Sequence, residues 1–345
     1  MEKIENILQR VEGSKAFNSL LKEHRKKSVT VHLENLVGGA LSLYSAALVR
    51  RVGGVHIFVA EDRDSAAYML NDFYALLDEE RVHFFPTSYK KSIIYGKEDA
   101  QGVVQRTNAL NALRHNRDGY VVVCTYPDAL AERVADEGSL AERSIRLRVG
   151  DRVVIAELEE QLVERGFQQV DFVYEPGQYS LRGGIVDVFS YSENRPFRID
   201  FFGDEIDSIR RFNISSQLSH DKVEQVEIIP NMNSSAVEKV SLARFAGEDV
   251  TFWYYDAEYV LKRVNDLRRK VLGEMEEPSK IDTLLTSRRN LLLDMEQCRV
   301  ALLRDNIKER VAHKSIRTVN TANRFACNVK VFNVHSVVVF SVCDC

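Results

Sequence analysis

The sequence predicts an α/β fold in which a parallel-sheet domain is begun, interrupted by a small α+β insert, and completed afterwards. Three observations carry this. Between residues 28 and 124, β-branched runs alternate with long helical stretches, the βαβ rhythm of a parallel sheet with helices on both faces. From about residue 144 the texture changes to short strands, tight turns and one helix. From Asp249 the long elements return. The expected divisions are residues 1–143 and 231–311 for the two parts of the discontinuous domain, 144–230 for the insert, and 312–345 for an atypical tail.

Residues 1–27 read as helical. Ile4, Ile7, Leu8 and Val11 recur at helical spacing, as do Phe17, Leu20 and Leu21 after Gly13-Ser14. Ser28–Leu33 is a strand candidate, and a helix runs from Gly38-Gly39 to about Arg51. Strands follow at 54–60, 81–85 and 120–124, with helices at 63–77 and 98–114 between them. In the insert, 147–155 reads as strand and 157–165 as helix. After it, 249–256 is a strand, and Val260, Val264, Leu267 and Val271 form one helical stripe that Pro278 ends. A last helix is expected from about Leu284 to Val311.

Composition narrows the function classes. The chain has 345 residues and a net charge of −4, with no basic stripe of the kind a nucleic-acid binder presents. The densest basic run, His24 to Lys27, reads as a solvated helix end. No apolar run reaches the roughly 18 residues that span a bilayer. Five cysteines in no paired zinc spacing, with no signal peptide, predict a reducing cytoplasmic setting, no cofactor and no metal. Cys327, His335, Cys343 and Cys345 in the tail follow no standard ligand spacing. No nucleophile–base or zinc-hydrolase motif is present, so no catalytic residue is expected.

Residues 171–212 are the most informative run. Pro176-Gly177 signals a turn. Gly183-Gly184 signals a bulge or a close backbone approach. Ile185–Phe189 is an apolar run holding one acid. From Phe197 the period is two: Phe197, Ile199 and Phe201 share a core-like face, while Arg198, Asp200 and Phe202 share the other. On that polar face Phe202 either packs under a neighbouring loop or stands exposed beside Arg198, the composition of a protein-binding hot spot. Parity does not place Arg182 on either face, because the glycine pair after it can shift the register. The acids Asp200, Asp204, Glu205 and Asp207 read as a turn between strands.

The runs EPGQYSLRGGIVDVFS and RPFRIDFFGDEIDSIRRF resemble the signature shared by the UvrB protein of nucleotide excision repair and the N-terminal module of bacterial transcription-repair coupling factors. The resemblance implies a degenerate RecA-like domain with an inserted domain that docks onto UvrA. It implies UvrA contacts at Arg182, Arg198 and Phe202; Asp200, on the same face of the strand, is expected to hold Arg198 in position. In the longer family proteins it also implies RNA polymerase and duplex DNA as partners, and ATP-driven translocation, through further domains. A contact with a motor domain is a third implied use.

UvrB itself binds ATP at its first strand-to-helix turn. That site needs G-x-x-x-x-G-K-[ST], where the Lys compensates phosphate charge. Here Asn35 to Ser42 puts Leu41 at the Lys position and Ala40 at the second Gly. Gly38, Gly39, Leu41 and Ser42 therefore mark a degenerate loop, and the expectation is a non-catalytic module. An active UvrB-like ATPase is the alternative. Phe85–Glu98 is too short for UvrB's damage-probing hairpin, although Tyr89, Tyr95 and Lys90-Lys91 sit in it.

Overall fold

The computed structural model describes residues 2–25, 29–34, 39–91, 93, 98–116, 118–232, 238–296 and 298–302, and the strands 315–320, 330–334 and 337–341. The chain forms two compact units. One takes residues 1–87, 112–133 and 240–345, and the other 88–111 and 134–239.

The first unit is built on a seven-stranded sheet. Its strand order is Ser315–Asn320, Val29–Glu34, Arg299–Leu302, Val250–Tyr254, Gly54–Val59, Tyr120–Thr125, Val82–Phe85. Every neighbouring pair is parallel. Its inner strands Val250–Tyr254, Gly54–Val59 and Tyr120–Thr125 are mostly apolar, as expected when a sheet is covered on both faces. Ile57, Phe58, Val122, Val123, Phe252 and Trp253 are fully buried. The long elements fall where periodicity puts them, with helices at Ala40–Val52, Arg63–Leu76, Ala100–His115 and Ala257–Glu274. The N-terminal helical stretch breaks into Glu2–Glu12 and Lys15–His24, because Ser14 caps the second helix by accepting from the Phe17 N–H at 3.1 Å.

The structure departs from these expectations at four places. The helix expected to reach Val311 is two short helices, Ile281–Leu284 and Arg288–Asp294, followed by the strand Arg299–Leu302. Val300 and Ala301 are buried between two parallel neighbours, and a short apolar run buried on both sides has no period to distinguish strand from helix. The stripe helix ends at Glu274, and Pro278 opens a separate 3-10 turn. His24 is not a solvated helix end. It is buried, with Nε2 2.8 Å from Thr251 Oγ1. Parallel pairing also continues past residue 311, since Ser315–Asn320 lies beside Val29–Glu34. Cys327, His335, Cys343 and Cys345 lie outside the described residues, as do Tyr95 and Gly38.

The second unit is organised by a six-stranded sheet, ordered Ser219–Val223, Glu205–Phe212, Phe197–Phe202, Ile185–Val188, Gln178–Arg182, Gln168–Gln169. It is an antiparallel meander except at its last pair. Helix Ile155–Glu164 packs Leu158 and Leu162 against one face, where Val186, Val188, Phe197, Ile199 and Ile209 are buried. Ile145–Arg148 pairs with Gln225–Ile228 and joins the same core. A smaller cluster, Val173, Phe189 and Phe212, closes part of the opposite face.

Candidate docking site on the antiparallel sheet

The site is set by two tight turns. Gly183 has φ +60° and, with Gly184, links Arg182 to Ile185, which are directly paired. A Cβ on Gly184 would lie 3.0 Å from the Phe201 carbonyl oxygen, so the close approach read from the glycine pair is real. Because this turn has two residues, the register is kept. Ser180, Asp187 and Arg198 stand in one row across three strands, and Arg182 lies on that same face two residues along. Farther on, Gly203 carries φ +63° in the turn from Phe202 to Glu205. The register shift near Asp200/Phe201 is absorbed by Asp207 in the partner strand, so the Phe197–Phe202 alternation is unbroken.

That alternation sorts the residues as expected. Phe197 and Ile199 are buried and Phe201 packs partly against the same core. Phe202 is 85% exposed, which excludes packing under a loop. Its backbone flanks the glycine turn, since the preceding Phe201 N–H donates to the Gly184 carbonyl at 2.8 Å.

The charged face is built around an acid that sequence reasoning passed over. Asp187 is 1% exposed. Its carboxylate accepts from Arg198 Nε at 2.7 Å and Nη2 at 2.8 Å, the bidentate fork a guanidinium favours, and also from Arg182 Nη2. Arg198 Nη1 donates to the Gln217 carbonyl at 3.2 Å, and the guanidinium lies over Phe212, 4.7 Å from the ring centroid. The bonds to Asp187 raise the Arg198 pKa above its ordinary value. Arg182 lies over Phe172 at 5.2 Å.

Asp200 supports Arg198 through its charge, which adds to the rise in the Arg198 pKa, and not through a hydrogen bond: it accepts from Ser208 Oγ at 2.9 Å and from Arg210. The reason is register. Asp187 faces Arg198 directly across the strand pair, whereas Asp200 lies along the same strand and faces Ser208. The available signal for Asp187 was the single acid in the apolar run 185–189, since a buried carboxylate requires a cation.

The degenerate loop lies in the other unit. Gly39 precedes helix Ala40–Val52, Leu41 is half-buried, and buried Ser42 donates to Asp72 Oδ2 at 2.5 Å. The hydroxyl at the position that would hold a metal in an intact phosphate loop is thus engaged by a neighbouring helix. Burial raises the Asp72 pKa, and the Ser42 bond offsets only part of that. In the segment 85–98, Tyr89 is buried and pairs with Glu98, while Lys90 and Lys91 are exposed.

This antiparallel unit defines a class: residues 145–233 match the family model described as the UvrB interaction domain. The chain is similar to transcription-repair-coupling factors, at 27% identity over 231 residues with that of Bacillus subtilis and 25% over 236 residues with that of Escherichia coli, covering 67% and 68% of this chain. It is also 27% identical over 223 residues, 60% of its length, to UvrABC system protein B of Thermotoga petrophila. The aligned regions span 19%, 20% and 33% of those proteins' own lengths. The chain therefore resembles the UvrB-homology module of transcription-repair coupling factors. Among the described residues, no helix is long and apolar enough to cross a membrane.

Proposed function

We propose that this chain is a non-catalytic docking module that binds UvrA through the exposed edge of its antiparallel sheet. In this reading Phe202 fills an apolar pocket on UvrA, and Arg182 and Arg198 form the cationic part of the patch. The insert, residues 144–230, is the docking domain. The longer family proteins would use it to bring excision repair to stalled RNA polymerase, with polymerase contact, DNA binding and ATP hydrolysis in other domains. The observation that carries the reading is the Phe202 ring, 85% exposed at a tight turn and on the same face of its strand as Arg198. An aromatic held in water by a well-packed hairpin is the kind of anchor that dominates protein interfaces. The match of residues 145–233 to the UvrB interaction domain supports it, as does the commitment of Ser42 to Asp72 in place of a nucleotide.

The test is calorimetric titration of purified UvrA into the full chain. Binding is expected, and Phe202→Ala should weaken it by about 30-fold or more, the loss of a roughly 2 kcal/mol hot spot. Its melting temperature should stay unchanged, because the ring contributes little burial. Absence of heat with the unaltered chain overturns the proposal, as does full affinity in the variant.

A further inference from the structure

We propose that Asp187 is the positioning residue of this surface, and that of the two arginines only Arg182 offers donors to a partner. The surface then takes one carboxylate-bearing side chain set between the rings of Phe172 and Phe202. The inference rests on the docking reading above and divides the labour within it.

The division follows from what each guanidinium has already spent. Arg198 is 16% exposed in its side chain, its Nε and both terminal nitrogens are bonded, and its plane is covered on one side by Phe212. A partner could take its donors only by unpicking the sheet. Arg182 is 35% exposed. It gives Nη2 to Asp187, and its Nε and Nη1 make no hydrogen bond among the described residues. Its plane rests on Phe172, which is 48% exposed, so the guanidinium is oriented before any partner arrives.

Asp187 does the orienting. It is buried at the centre of the row and holds both arginines, so removing its charge releases both at once. Two guanidinia share one carboxylate, so this trio carries a net positive charge and the donors of Arg182 left unbonded suit an anion. Arg182 presents an edge with two neighbouring donors, the geometry that recognises a carboxylate in fork fashion and that Lys does not reproduce. Phe202, across the Gly183-Gly184 turn, supplies the apolar neighbour.

The experiment follows the arginine Nε–H resonances of the labelled full chain, first alone and then with UvrA. Alone, the Arg198 Nε–H should exchange slowly with water and the Arg182 Nε–H quickly. Asp187→Asn should accelerate the Arg198 exchange and weaken UvrA binding about tenfold or more. On adding UvrA, the Arg182 signal should shift and the Arg198 signal should stay. Arg182→Gln should flatten the salt dependence of binding with an unchanged melting temperature. Arg198→Lys should lower the melting temperature and keep the salt dependence. A shift at Arg198 with none at Arg182 overturns the proposal, as does Asp187→Asn with unchanged exchange and affinity. If the unaltered chain fails to bind UvrA, the docking reading falls, and the exchange rates of the free chain still decide the role of Asp187.

Discussion

The two units satisfy their buried polar groups in opposite ways. In the parallel-sheet unit the buried histidines have uncharged partners. His24 meets Thr251, and His56 accepts from Trp253 Nε1 at 3.1 Å while its Nε2 donates to the Gly53 carbonyl at 2.9 Å; buried Ser42 donates to the Asp72 carboxyl. In the antiparallel unit the partners are charged: Asp187 holds Arg182 and Arg198, Asp200 holds Arg210, and Arg211 lies 3.5 Å from Glu193. The physical reason is the number of covered faces. A parallel sheet is packed on both sides, where an ionised group is expensive. The antiparallel sheet has one face only partly closed, so its ion pairs keep an edge in water. A charged network at a half-open face is available for docking; uncharged histidine pairs in a closed core are packing.

Acid should break the comparison hardest. His24 and His56 are buried, and burial depresses their pKa values to about 3 and about 4. Both bonds of His56 require the neutral ring with its proton on Nε2, because a protonated Nδ1 cannot accept from Trp253. With folded values below the unfolded one, the unfolded chain binds more protons. Stability is therefore full above about pH 6.5 and falls as pH drops toward 4, by about 1.4 kcal/mol per pH unit for each histidine. The single tryptophan, Trp253, is fully buried in this unit and reports it alone. Its urea midpoint should fall steeply between pH 7 and pH 5; an equal midpoint at both would refute the assignment.

The same substitution should act with opposite sign in the two units. Asp187→Asn strands two arginines and should destabilise the antiparallel unit by roughly 2–4 kcal/mol. Asp72→Asn keeps an acceptor for Ser42 and removes a carboxyl whose pKa burial has raised. A raised folded value costs stability at neutral pH and not in acid. The variant should therefore be more stable than the unaltered chain at pH 7 and equal to it in acid. Chemical denaturation at both pH values checks this, and destabilisation by Asp72→Asn at pH 7 would count against a neutral packing role. The smallest effect is expected from nucleotide. Titration with magnesium-ATP should give no heat and no change in Trp253 emission, because Leu41 offers no charge to the phosphates. Magnesium-dependent binding would reopen the ATPase alternative.

Much of this was readable in the sequence where one periodicity dominated. The alternation Phe197–Phe202 sorted core from exposed residues, with Phe202 at one extreme and Ile199 at the other. The glycine turns and the alternation of long strands and helices were equally plain. What escaped had no local signature. Arg299–Leu302 looks like the continuation of a helix until its two parallel neighbours are in place. His24 sits in a basic run, and only Thr251, far along the chain, shows that it is buried. Asp200 seemed the natural support for Arg198 because it is near in sequence, whereas the hydrogen bonds run across the sheet to Asp187.

The order of residues alone thus determined the two sheet types, the turn positions, the face that Phe202 shares with Arg198 and the loss of the phosphate-binding Lys, since each depends on neighbours a few positions away. Tertiary structure alone decided which acid holds which arginine, which histidines are neutral and which of two arginines has donors left, because strand register brings together residues whose separation along the chain carries no information about their contact.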